Sequence, residues 1–317
     1  MRASFAATTC HHIFRARSRA IQQSLLTGLA LSALLVSPAS SAERTVAVPD
    51  FSGFWARNAF DLEPMPSGAA PVTNLKRLRD GTTDGTQLVG DYNNPILKPE
   101  AANLLKKRGE ISISGNAFPD PSNHCAPYHP PYAFSIQLGM HVLQEKDQVT
   151  ILYNQDDQVR RVRLNSTHPA KVVPSAMGDS IGSYESDTLV VDTVGIKAGP
   201  LVMTDRMGTP QSEAMHLIER YRLIGAAEAK EAQDRHEKQN GRIGGAAGAM
   251  PIDPTYGKGL QLQITVEDTN VFTTPWSAVI TYRRGKDPWI EQVCAENFRE
   301  YYANRDTEIP QADKPDF

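Results

Sequence analysis

The stretch GLQLQITVED, residues 259–268, alternates Leu260, Leu262, Ile264 and Val266 with Gln261, Gln263 and Thr265. That period of two marks a strand with one face on a core and the other in water. Working outward, QVTILYNQDDQVRRVRL (148–164) reads as a hairpin about Asp156-Asp157, and DTLVVDT (187–193), MHLIERYRLI (215–224) and SAVITYRR (277–284) read as further strands. VPDFSGFW (48–55) holds a first one. Several short strands with little helix between them predict a mainly β fold, with an antiparallel barrel-like or sandwich core.

Two regions depart from the alternation. Residues 61–95 contain Pro64, Pro66, Pro71, Gly81 and Gly85 and read as loop, a long irregular wrap near the start. A helix follows, with Pro99 at its first position, Glu100 in its first turn, Leu104 and Leu105 on an apolar side, and Gly109 as its stop. Later, AAEAKEAQDRHEKQN (226–240) is helix-favouring and charged all round, and the Gly-rich GRIGGAAGAMP follows it. Residues 226–257 therefore read as a solvated insertion between two strands.

Residues 1–42 have the build of a secretory leader. Arg2, Arg15, Arg17 and Arg19 precede the apolar run Leu25–Val36, and Ser40-Ser41-Ala42 offers a cleavage site. Removing them from a 317-residue chain of formal charge −3 leaves 275 residues at −7, enough for one large β-rich domain over 43–317. A mildly acidic chain without a basic stripe excludes nucleic acid as the expected partner, and no later apolar run is long enough to span a bilayer. The expected location is the periplasm or the exterior. The pair left after the leader, Cys125 and Cys294, is read as one disulfide, worth about 4 to 5 kcal/mol in the chain-entropy model.

Gly178-x-Ser180-x-Gly182 has the spacing of a nucleophile elbow. An elbow needs a strand entering the turn and a helix leaving it. Here Pro174 interrupts the approach and a β-branched strand leaves, so the glycines are read as permitting positive φ in a connection. The same segment resembles one that recurs in exported bacterial proteins of unassigned activity, patterned Gly-x-Ser-x-Gly-x-Trp-Glu-x-Asp-Thr-Leu-x-Val-Asp-Thr. Tyr184 stands at the Trp position and Asp179 where His is expected; Glu219-Arg220-Tyr221-Arg222, Thr265-Val266-Glu267-Asp268 and Cys294-x-Glu296-Asn297 extend the likeness. The resemblance implies an exported β-rich protein and no particular reaction.

Gly53-Phe54-Trp55 is similar to the Gly-x-Trp of lipocalin-like (calycin) barrels, in which an arginine from a late strand lies over the tryptophan. Arg284 has the strand parity to play that part. Such a barrel encloses an apolar cavity, so the leading expectation is a small, mainly apolar ligand in the core, contacted by Trp55, Tyr132, Tyr184 and Arg220. The alternative is a periplasmic acid/base enzyme, whether lyase, isomerase or hydrolase, using His124, His129 and Asp179. DPSNHCAPYHPPYAF (120–134) puts Asp120, His124, Cys125 and His129 on a proline-stiffened loop able to exchange protons or contribute to a metal site, though no cofactor is named by these residues.

Overall fold

The computed structural model describes residues 48–57, 61–135, 139–240 and 250–286. The leader, the Gly-rich part of the insertion from 241 to 249, and Cys294 lie outside them. In chain order the elements are β1 (Gly53–Ala56), β2 (Glu63–Pro64), helix α1 (Pro99–Ile113), β3 (Met140–Gln144), β4 (Gln148–Tyr153), β5 (Gln158–Leu164), β6 (Asp179–Glu185), β7 (Thr188–Val194), β8 (His216–Gly225), helix α2 (Ala226–Asn240), β9 (Lys258–Glu267) and β10 (Trp276–Arg284). Each stretch read as alternating became a strand.

The strands close into a ring. Each strand from β3 to β10 pairs with the next, and β1 pairs with both β3 and β10, giving a closed nine-stranded barrel. Trp55 lies opposite Met140 on one side and Arg284 on the other. The remaining strand, β2, sets Glu63 and Pro64 against Val279 and Ala278 farther along the same edge of β10. β1 and β2 thus pair with two separate stretches of one edge of β10.

All neighbours run antiparallel except β5 and β6, whose parallel contact covers only Val162–Leu164 against Ser180–Gly182. A parallel pair needs a long crossover, and residues 165–178 supply it. Calycin barrels are eight-stranded and up-and-down; nine strands with a parallel seam is a different closure.

Inside, the alternation does what it predicts: Leu260, Leu262, Ile264 and Val266 are fully buried. The Pro-rich stretch adds a plug. Its short 3-10 helix, Tyr132–Ser135, is buried throughout, with Phe134 stacked on Tyr153 at 6.3 Å between ring centroids. Tyr282 reaches across from β10, its hydroxyl donating to the Phe134 carbonyl at 2.6 Å.

Two helix expectations need correction. In α1, Gly109 does not stop the helix, which runs on to Ile113. Gly109 is buried there against Val89, and a Cβ would stand 3.0 Å from a Val89 methyl, so its lack of a side chain serves close packing. In α2, the charge pattern conceals a stripe of Ala229, Ala232 and His236 at spacings of three and four, all buried. The helix packs on the barrel wall and is not a solvated excursion.

Candidate functional site

Ser180 is not on an elbow. It sits within β6 at 1% exposure, opposite Thr193 of β7 and Val162 of β5, with its hydroxyl inside the barrel. Arg160 Nε donates to it at 3.1 Å, and it shares a hydrogen bond of 3.1 Å with Thr193 Oγ1. Arg160 forks onto Glu219, Nη1 to Oε2 at 2.7 Å and Nη2 to Oε1 at 2.5 Å, while Nη2 also donates to Thr193 Oγ1 at 2.6 Å. Tyr221 donates its hydroxyl to Glu219 at 2.7 Å, and the Phe134 ring lies 5.4 Å from the guanidinium. Burial opposes the Arg160 charge, but Glu219 outweighs it and holds the guanidinium well above its ordinary value. The same burial pushes the Tyr153 hydroxyl up to about 12.

The Glu219 carboxylate is taken up by Arg160, Thr193 and Tyr221, and Ser180 meets Arg160 and Thr193, so the chemistry of this network is that of a buried, fully engaged ion pair. It gathers Ser180, Thr193, Glu219 and Tyr221, all from the recurring motifs, around Arg160, which no motif pointed to. Parity was the available signal: Arg160 shares a strand face with Val162 and Leu164. Of the two glycines read as needing positive φ, only Gly178 has it, at +69°, with a Cβ there 2.8 Å from the Val194 carbonyl, whereas Gly182 lies within β6 without it.

Asp179 points outward into a row of alternating charges. Arg163 grips it with bonds of 2.7 and 2.9 Å, and His168 Nδ1 lies 2.6 Å from Oδ1. His168 Nε2 and His216 Nε2 both lie 3.1 Å from Asp192 Oδ1. Arg163 above all holds the Asp179 carboxyl below its usual range. A shallow depression of about 360 Å³ beside the parallel seam is lined by Asp179, Ser180, Arg160, Arg161 and Arg163 among others.

The other residues named from sequence are dispersed. His124 is exposed at the end of a 3-10 helix, Pro121–His124, and Cys125 follows it in a left-handed conformation, its expected partner Cys294 lying outside the described residues. His129 is buried, with Nδ1 unpartnered, and burial holds it below its ordinary value. Neither histidine is among the partners of Asp179. Trp55 is fully buried under Arg284, whose guanidinium lies 5.3 Å from its ring, and its indole N–H donates to the Phe51 carbonyl at 2.7 Å. Tyr132 is buried and donates to Asp120 at 3.2 Å; Tyr184 is half-buried and accepts from Gln144 at 2.9 Å. Arg220 faces outward and donates to Glu185 at 2.7 Å.

Another site lies against α2. A cleft of about 580 Å³ opens between residues 61–83 and α2. Leu62, Val72 and Met207 give it an apolar floor, all three buried. Its walls are clasped at two points. Arg235 of α2 forks onto Glu63 at 2.9 and 3.2 Å, and Thr83 donates through its hydroxyl to Asn240 at 2.6 Å and through its N–H to the Gln239 carbonyl at 3.1 Å.

Two titratable groups mark this cleft. Asp61 lines it with Oδ1 buried and, among the described residues, unpartnered. His236 is 4% exposed, and burial, with Arg57, Arg206 and Arg235 nearby, pushes it down to about 3, so it is neutral at any ordinary pH. Behind Met207, whose N–H donates to it at 2.9 Å, Asp205 is raised to about 6 by burial. Shifts of this size gather at binding and catalytic sites, and also in structural networks. Among the described residues no group of three or more His, Cys, Asp and Glu side chains is arranged to hold a metal ion, and no helix is long and apolar enough to cross a membrane.

Fold and cleft together define a closed, mixed β-barrel with a cleft lined in part by α2. Compared with protein-family models, with curated proteins and with solved structures, the chain matches none.

Proposed function

We propose that the protein is an exported β-barrel that binds a small amphipathic molecule, and that the binding site is the lateral cleft against α2 and not the barrel axis. The observation that carries this is Asp61: a carboxylate oxygen, buried and without a donor among the described residues, in the wall of a cleft with an apolar floor. Leaving such an acceptor unmatched costs about 1 to 3 kcal/mol. A ligand with an apolar body over Leu62, Val72 and Met207 and an N–H or O–H at its edge recovers that energy and removes apolar surface from water. Export rests on the leader-like residues 1–42, and the Cys125–Cys294 disulfide goes with it; the intact mass of the unreduced, denatured protein tests the pairing.

The test of binding is a thermal-shift screen with small amines, amides and alcohols carrying an apolar body. Compounds that raise the melting temperature are expected to lose about tenfold or more in affinity against Asp61→Ala, matching roughly one unsatisfied hydrogen bond. Binders unaffected by that substitution would place the site elsewhere.

One observation favours a second reading, acid/base catalysis. The Asp179–His168 contact at 2.6 Å stands beside the depression at the seam, where an imidazole oriented by a carboxylate could move a proton. Turnover of any substrate found would then fall about 10² to 10⁴-fold in His168→Ala.

A further inference from the structure

Arg57 follows the last residue of β1 and is 4% exposed. Its Nη2 donates to the Asp61 carbonyl, but Nε and Nη1 are buried and meet no acceptor among the described residues. The side chain lines a small pocket of about 20 Å³ with Glu63, Gln233, His236, Thr281 and Arg283 among its neighbours. Thr281 Oγ1, from β10, is also buried and unpartnered among the described residues. Three unmatched polar atoms therefore belong to two side chains of one pocket, and each can donate.

The charges around it do not balance. Arg57 and Arg283 line the pocket, and Arg235 and Arg206 act on His236, which lines it too. Against these stand Glu63, already gripped by Arg235, and Asp61. Burial pulls Arg57 below its ordinary value, with Tyr282, Asp61 and Glu63 offsetting only part of the pull. A buried cation without a matched partner is among the most destabilising features a fold can carry. A water molecule in the pocket would satisfy hydrogen bonds but bring no charge. The volume admits one water-sized occupant and has no room for a carboxylate, sulfate or phosphate group.

We propose that this pocket is a binding site for a single monatomic anion of the halide class, held by Arg57 Nε and Nη1 and by Thr281 Oγ1. Chloride is the occupant in ordinary buffers. The ion neutralises Arg57, whose Nη2 holds the carbonyl of Asp61, a residue of the cleft wall. The site shares Glu63 and His236 with the cleft, yet its existence does not depend on what the cleft binds.

Crystals of the full chain equilibrated in sodium bromide, with data collected at the bromine absorption edge, test it directly. An anomalous peak within hydrogen-bonding reach of Arg57 and Thr281 is expected. Ordered density there without anomalous signal, or no density, overturns the proposal in favour of water or of a bare pocket. In solution, the melting temperature should be higher in sodium chloride than in sodium gluconate at equal ionic strength, and the gap should shrink in Thr281→Val, which keeps the β-branched shape and removes one donor. Arg57→Met, if it folds, should abolish the gap. Equal melting in the two salts, or a gap that Thr281→Val leaves intact, overturns it.

Discussion

At the scale of the residue, Arg160 places a full charge inside the barrel at 1% exposure, and Glu219, Ser180, Thr193 and the face of Phe134 together make that tolerable. Removing one partner of such a pair strands the other, so Glu219→Gln is expected to destabilise the fold by about 3 to 5 kcal/mol in urea denaturation. The double change Arg160→Met with Glu219→Leu should recover most of that, since an apolar pair of similar volume leaves nothing unpaired. A single variant as mild as a surface substitution would contradict the network. Ser180→Ala takes away only one acceptor of Arg160 and should cost about 1 to 3 kcal/mol. Serine-directed probes should leave folded wild-type protein unlabelled at Ser180; labelling there would mean the hydroxyl reaches solvent and a base.

At the scale of the element, the ladders are uneven. β8 and β9 pair along their whole lengths, from His216–Glu267 to Gly225–Lys258, whereas β5 and β6 meet only at Val162–Leu164 and β1 meets β10 only at Trp55 and Ala56. Amide hydrogen exchange should therefore protect β8 and β9 most and release the β5–β6 seam and β1 first. Uniform protection around the ring would contradict this order. These same elements show what the sequence could disclose. Alternation located β7 to β10 because apolar and polar residues there sort onto two faces, a property local to each strand. The pairing of β1 with both β3 and β10 joins residues far apart in the chain, so closure was not legible in any one stretch. At β5 no motif marked Arg160, which is buried while Val159 is 50% exposed, and charge misled at α2, where two alanines and a histidine form the packed stripe. The cleft escaped notice altogether, because residues 61–83 have no period and acquire a role only when α2 lies against them.

At the scale of the whole molecule, two buried groups set opposing responses to pH. His236 has its folded value lowered from 6.5 to about 3, so its contribution is complete above 6.5 and is lost as pH falls toward 3. Asp205 has its folded value raised from 3.8 to about 6, so its contribution is complete below 3.8 and is lost as pH rises through 6. Between about pH 4 and 6 the two slopes, each about 1.4 kcal/mol per pH unit, nearly cancel. Relative to wild type, His236→Gln should then lose stability as pH rises through that window and Asp205→Asn should gain it, as urea denaturation at a series of pH values would show. Parallel profiles for all three proteins would contradict the assignment. The location of the ligand is tested most directly by methyl NMR of protein labelled at its eight methionines, titrated with the tightest compound from the thermal-shift screen. Met207 lies in the floor of the cleft and Met140 is buried on the inward face of β3. A ligand in the cleft shifts the Met207 methyl and leaves Met140 in place. A shift at Met140 with Met207 unmoved would put the ligand in the barrel axis and contradict the lateral site.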